Sequence, residues 1–200
     1  MGSAHPHDSE GRLLPWPSWP PGREAPGVLE LVRHLCNTTN RENGADRLRD
    51  AAGLDDWLAW EGRSGVAAPA KDLDLLRAIR ASLHRLTDAH TSDDAPSRRA
   101  LAVVEVASLL GSVPLRVAAR GDGLALAPDA TSPVAVLVGE LAAAVFHSEQ
   151  AGELRRLKSC AHCRWVVYDA SKNRGGRWCS MGVCGGRENA RAYRRRRAAR

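Results

Sequence analysis

Apolar residues in this chain recur mostly at three- and four-residue intervals, the spacing that builds one face of an α-helix. Val28, Leu29, Leu31, Val32 and Leu35 follow it and predict a helix that closes at the turn-forming run Asn37-Thr38-Thr39-Asn40. Asp46 to Trp60 predicts a second helical region, with Leu48, Leu54, Trp57 and Leu58 facing inward and Asp55 restarting the helix after Gly53. Residues 62–70 are small and read as a linker. Leu73, Leu76, Ile79, Leu83 and Leu86 predict a longer amphipathic helix with Arg77, Arg80 and Arg85 on its solvated face. After a polar break at 90–96, the dense apolar run Leu101 to Leu110 predicts a buried helix ending at Gly111.

The rhythm then changes to alternation. Val113, Leu115 and Val117 precede a Gly121-Asp122-Gly123 turn, and Leu124 and Leu126 follow it, which predicts a short β-hairpin. The alanine-rich stretch Val134 to His147 returns to helical spacing, and Glu149 to Lys158 is expected to continue as a polar helix. Upstream of Val28, Pro6, Pro15, Pro17, Pro20, Pro21 and Pro26 surround Trp16 and Trp19, so residues 1–27 are expected to form a flexible arm. The fold class expected is mainly α with a short β-hairpin.

Cysteine and charge are both concentrated at the carboxyl end. Four of the five cysteines fit Cys160-x2-Cys163-x15-Cys179-x4-Cys184. Two close thiol pairs joined by a loop can grip one Zn²⁺ from two sides, and a four-thiolate shell is closed, hence structural. His162, inside the first pair, is a bystander once four thiols complete the shell. Cys36 stands apart and reads as a buried, inert thiol. A segment of about 40 residues has little core of its own, so the metal is expected to supply its stability, in a module separable from the body. Residues 151–200 hold 14 Lys and Arg against 3 Asp and Glu, whereas residues 1–150 hold 15 against 20. The basicity therefore belongs to one module, which suggests a localised docking surface for a polyanion.

Beyond Cys184, Arg187, Arg191, Arg194 and Arg195 fall at i, i+4, i+7 and i+8, one face of a helix. Such a face can lie along phosphates or enter a major groove of duplex DNA. Arg174-Gly175-Gly176-Arg177 resembles an RNA-binding tract, although a loop turn explains a single copy; Arg174 and Arg177 join the candidate contacts. Phosphate-binding glycine loops, nucleophile elbows and paired carboxylates set for acid–base work are not found, so no catalytic residue is nominated. Asn37, Arg41 and Trp57 are the candidates for a ligand pocket in the body, against a plainer role in capping and core packing.

The cysteine module resembles the CGNR zinc finger through Cys160-Ala-His-Cys163-Arg-Trp165, Asp169-Ala-Ser171-Lys-Asn173-Arg174, Arg177-Trp178-Cys179-Ser180-Met181 and Cys184-Gly185-Gly186-Arg187. That family commonly carries an upstream helical domain named ABATE, which residues 28–150 resemble more loosely through Leu35-Cys36-Asn37-Thr38, the stretch Asp46 to Trp60 and the helix–hairpin–helix order. The pair bears the description of a candidate stress-induced transcription regulator of bacteria. Two departures stand out: Gly186 replaces the asparagine of Cys-Gly-Asn-Arg, and Arg33-His34 precede Leu35 where the family has an acidic opening.

The organisation expected is thus an arm at 1–27, a mostly helical body at 28–150, and a finger with a basic helix at 154–200. The function expected is that of a cytoplasmic DNA-binding regulator with one structural zinc. Its body would sense a small-molecule effector or form a homodimer, and no membrane is involved. Alternatives are a finger that grips an acidic protein partner, a zinc–thiol redox switch, and, last, an enzyme of the body.

Overall fold

The computed structural model describes residues 20, 22–42, 44–63, 69–91 and 96–198. Trp16, Trp19 and most of the linker and polar break lie outside them. Six helices and three two-stranded antiparallel ladders are described: α1 Leu29–Cys36, β1 Thr39–Asn40, β2 Ala45–Asp46, α2 Ala51–Trp60, α3 Ala70–Ala89, α4 Pro96–Leu110, β3 Leu115–Arg120, β4 Gly123–Pro128, α5 Pro133–Gln150, β5 Leu157–Ser159, β6 Val166–Tyr168 and α6 Gly186–Ala198. The mainly α class with a small finger and a final helix is what the structure has.

Helical spacing on α1, α3 and α5 buries Val32, Leu35, Leu76, Ile79, Leu83, Leu137 and Leu141 in one core that also takes in Leu48, Leu54 and Trp57. The expected hairpin is β3–β4, with Leu115 opposite Pro128 and Arg120 opposite Gly123. In α2, Asp50 caps the first turn by accepting from Gly53 N at 2.9 Å. The helix runs through Gly53 without restarting. A Cβ there would stand 2.0 Å from Arg47 O, so close backbone approach and not a break explains this glycine.

Four expectations change. The run Leu101–Leu110 is helical but only one stripe, Ala102, Val106 and Leu110, is buried; Leu101 and Val104 are 68% and 66% exposed. Nothing among the described residues covers that outer face. Arg80 is not solvated: it is buried and forks onto Asp46 at 2.6 and 2.8 Å while also bonding Thr38 Oγ1 at 2.8 Å, tying α3 to the β1–β2 turn. The segment 149–158 is not one helix. Gly152 adopts φ +70, which ends α5, and Leu157–Ser159 then pairs with Val166–Tyr168 as strands. The end of the arm is anchored: Tyr168 N donates to Arg23 O at 3.0 Å, and Ala25 is buried.

The finger and the body also share one core. Leu154, Leu157 and Val166 belong to the body's apolar cluster, whereas Val167 and Trp165 pack with the four cysteines. Alternation along β6 thus stitches the two units together, because successive side chains point to opposite faces. Polar clamps reinforce the seam. Asn37 donates to Val166 O at 2.9 Å and accepts from Val166 N at 2.8 Å; Thr87 meets Ser159 Oγ at 2.8 Å; Thr91 donates to Ser159 O at 2.8 Å.

A buried histidine, His84, and a half-buried one, His90, make this body sensitive to acid. Burial pushes both His84 and His90 down to about 4, although each donates to a carbonyl, His84 to Cys36 O and His90 to Leu157 O. With folded values below 6.5, the unfolded chain binds more protons, so stability is lost as pH falls from about 6.5 through 4. His84 alone accounts for about 3 kcal/mol at the acid end. Glu30, held near 2 against the pull of burial by Arg33 and His34, adds to acid lability only below about pH 4.5. His34 runs the other way: Glu30 and Glu61 outweigh burial and raise it, so its contribution is present below 6.5 and fades at higher pH. The melting temperature of the wild type is expected to fall between pH 6.5 and 4, and His84→Gln is expected to flatten that fall. An identical slope in both proteins contradicts the assignment.

Candidate metal centre and basic helix

The first cysteine pair sits in the turn of the β5–β6 hairpin. Cys160 N donates to Trp165 O at 2.8 Å, and Arg164 N donates back to Cys160 O at 2.9 Å, with Arg164 in the left-handed region at φ 69. This tight turn brings Cys160 and Cys163 to one side. Of the second pair, Cys179 precedes and Cys184 lies within a wide π-type turn, Met181–Gly185, that runs directly into α6. A Cβ on Gly185 would meet the end of the exposed Met181 side chain, with Sδ at 2.9 Å, so that flexible side chain would have to move to admit one. Gly186 opens α6 with helical angles and nothing closer than 3.5 Å to a built Cβ, so the asparagine of the resembled motif would fit.

All four Sγ atoms lie within 4.8 Å of one another and all four cysteines are buried. Cys163 and Cys179 are 3.6 Å apart, and Cys179 and Cys184 3.5 Å. A tetrahedron with Zn–S bonds of about 2.3 Å has edges of about 3.8 Å, so the cluster is already the size of a zinc shell. The cysteines are free thiols, not disulfides. Crowded thiols compete for protons: hydrogen bonds from Cys163, Cys179 and Cys184 pull Cys160 down, while bonding to Cys160 pushes Cys163 up. A dication resolves that conflict by replacing the protons. The donor set fits one structural zinc ion, held by Cys160, Cys163, Cys179 and Cys184.

The loop between the pairs is organised by Asp169. This buried carboxylate accepts from Ser171 N at 3.1 Å, Gly176 N at 2.7 Å and Lys158 Nζ at 3.1 Å. Those bonds outweigh burial and hold its pKa at about 2. A Cβ on Gly176 would come within 2.8 Å of the Asp169 carboxylate, so the glycine in Arg174-Gly175-Gly176-Arg177 serves the turn. Arg174 and Arg177 are exposed at its rim, the latter 5.8 Å from the Trp178 ring centroid.

His162 is outside the sulfur cluster and faces Glu188 at 3.2 Å, while Arg191 donates to the same Glu188 oxygen at 2.8 Å. The first knuckle is thereby clasped to the first turn of α6. Arg187 pairs with Glu42, and Arg164 with Asp88 on α3, so both arginines fasten the finger to the body. Beyond that turn α6 projects from the body with no buried residue. Arg194, Arg195, Arg196 and Arg197 are exposed and have no acidic partner among the described residues.

Neither of the two cavities described, one beside α1 and the β3–β4 hairpin and one between α4 and α5, is lined by Asn37, Arg41 or Trp57. Asn37 is spent on Val166, Trp57 lies in the core at 1% exposure, and Arg41 is exposed. Asp169, Lys158, Asp88 and Glu42 were missed by sequence reasoning. Asp169 carried a signal in the quoted finger motif; the others are isolated charges whose partners are distant in the chain.

Residues 156–197 match the CGNR zinc finger family. Residues 28–149 match the ABATE family, described as "Putative stress-induced transcription regulator". Neither is described as an enzyme family. No curated protein matches the chain. No helix among the described residues is long and apolar enough to cross a membrane. With the body matched over more than half of the chain, and the sulfur cluster and final helix inside the second match, this protein belongs to the ABATE family and ends in a zinc-binding CGNR finger.

Proposed function

We propose that this protein is a cytoplasmic bacterial transcription regulator that binds duplex DNA through its finger and α6. One observation carries the reading: a rigidly launched helix with no buried face ends in four consecutive exposed arginines that have no carboxylate partner among the described residues. Thirteen helical residues span about 20 Å, long enough to lie in a major groove about 12 Å wide. Arg194 and Arg195, extended by Arg196 and Arg197, contact phosphates or base edges. Arg187 and Arg191 hold carboxylates in the free protein and can exchange them for phosphate. Arg174 and Arg177 contribute from the loop. Zinc acts by fixing the turn from which the helix departs.

Selection from a random duplex library tests this directly. The zinc-loaded chain is expected to enrich a sequence motif, and two-fold symmetry in that motif reports a dimer. No enrichment, with an acidic protein partner retained instead, contradicts DNA binding and favours an interaction module.

A further inference from the structure

The two sides of α6 differ in what they touch. Arg187 pairs with Glu42, Glu188 meets His162, and Arg187, Glu188 and Ala192 are half-buried. At about 100° per residue these three span about 140° of the helix circumference, the side turned toward the body and the first knuckle. Asn189, Ala190, Tyr193 and Arg197 are exposed and fall about 200°, 300°, 240° and 280° round from Arg187. They form the side turned away.

Two residues on that outer side serve neither the fold nor the general attraction to phosphate. Tyr193 is 60% exposed on a helix with no buried residue, so its ring packs no core. Asn189 is a poorer helix former than Ala, Lys or Arg, and its carboxamide makes no hydrogen bond to another described residue. Neither side chain is charged. What both carry is chemistry that matches base edges. A carboxamide donates and accepts side by side, as N7 and N6 of adenine require, and an apolar ring suits the C5-methyl of thymine.

We infer that α6 enters the major groove with this outer side down, and that Asn189 reads an adenine and Tyr193 a thymine methyl. The inference rests on the DNA-binding reading and names the side chains of that helix that select the sequence. The body is too wide to follow the helix into a groove about 12 Å across, so the side turned away from it is the one that reaches the base edges. Arg194 and Arg196 stand about 80° to either side of the middle of that face, aimed at the phosphates of the two strands. Ala190, between the two readers, is small enough to let the helix approach closely. Four residues separate Asn189 from Tyr193, which is about 6 Å along the axis, or roughly two base-pair steps of about 3.4 Å. The selected site therefore holds its adenine and its thymine about two pairs apart.

The test runs the random-duplex selection on zinc-loaded full chains of the wild type, Asn189→Ala, Tyr193→Ala and Tyr193→Phe. Asn189→Ala is expected to lose its preference at the adenine position alone, by about 5- to 150-fold in relative affinity, the discrimination of one bidentate pair. Tyr193→Ala is expected to flatten the thymine position, and Tyr193→Phe to keep it. Affinity for an unrelated duplex and its salt dependence are expected to stay at the wild-type level, because no phosphate contact is removed. Both positions are exposed on a helix with no buried residue, so zinc content and folding are expected to persist. The same motif from the wild type and Asn189→Ala, or a loss spread evenly over all sequences, overturns the inference and leaves duplex binding standing. Salt-sensitive binding by the wild type without any enriched motif also overturns it and limits α6 to phosphates. No duplex binding by the wild type overturns it together with the reading on which it rests.

Discussion

Replacing Cys184 with serine is expected to release the zinc, melt β5, β6 and the launch of α6, and lower the stability of the helical body as well. The first part follows from chemistry. Three thiolates and a hydroxyl hold zinc far more weakly than four thiolates, and in small fingers the metal contributes about 10–16 kcal/mol of apparent folding free energy. That is comparable to the whole stability of an ordinary domain, about 5–15 kcal/mol. The second part follows from the shared core. Leu157 and Val166 are fully buried among body residues, and each such side chain contributes about 1.5–3 kcal/mol. Asn37 would also lose both its partners in the hairpin and leave a buried amide unmatched, while Thr87 and Thr91 would keep only their bonds to carbonyls of α3. Hydrogen exchange is therefore expected to quicken over residues 157–186 and also in α1 and the last turns of α3. Exchange confined to the finger, with an unchanged body transition in calorimetry, contradicts the seam.

Changing Arg194, Arg195, Arg196 and Arg197 together to glutamine is expected to weaken duplex binding by about 10³-fold at 0.15 M salt while leaving zinc content unaltered. Each phosphate contact releases counterions and steepens the dependence of log affinity on log salt by about 0.9. Four lost contacts remove about 3.6 from that slope, and extrapolated from 1 M to 0.15 M salt they amount to about three powers of ten. The four side chains are exposed on a helix with no buried residue, so their loss carries little folding cost. Removing Arg191 instead also disturbs Glu188, which His162 shares, and so mixes structure with binding. Unchanged affinity in the quadruple variant places the contact elsewhere.

Much of this architecture was legible along the chain because its signals are local. Leu73 to Leu86 gave a helix through periodicity, the Gly121-Asp122-Gly123 turn gave a hairpin, and the spacing of Cys160, Cys163, Cys179 and Cys184 gave the sulfur cluster. What escaped depends on partners far away in sequence. Arg80 looks like any solvated helix arginine until Asp46 is folded beside it. Asn37 looks like a cap or a pocket residue until Val166, 129 positions later, presents both its backbone groups. The strand Leu157–Ser159 was hidden because Arg155, Arg156 and Lys158 give it the polarity of a helix surface, whereas its stability comes from pairing with β6. The exposed face of α4 shows the reverse error. Leu101 and Val104 are apolar, and composition alone does not tell a buried run from an uncovered one.

The most direct test of the central claim is the salt dependence of duplex affinity for one preparation, measured before and after a chelator strips its zinc. Steep weakening with salt in the metal-loaded protein, lost together with the metal, is the result expected of a basic helix aimed by a sulfur-bound ion. Equal affinity in both states, or no duplex binding in the loaded state, contradicts it.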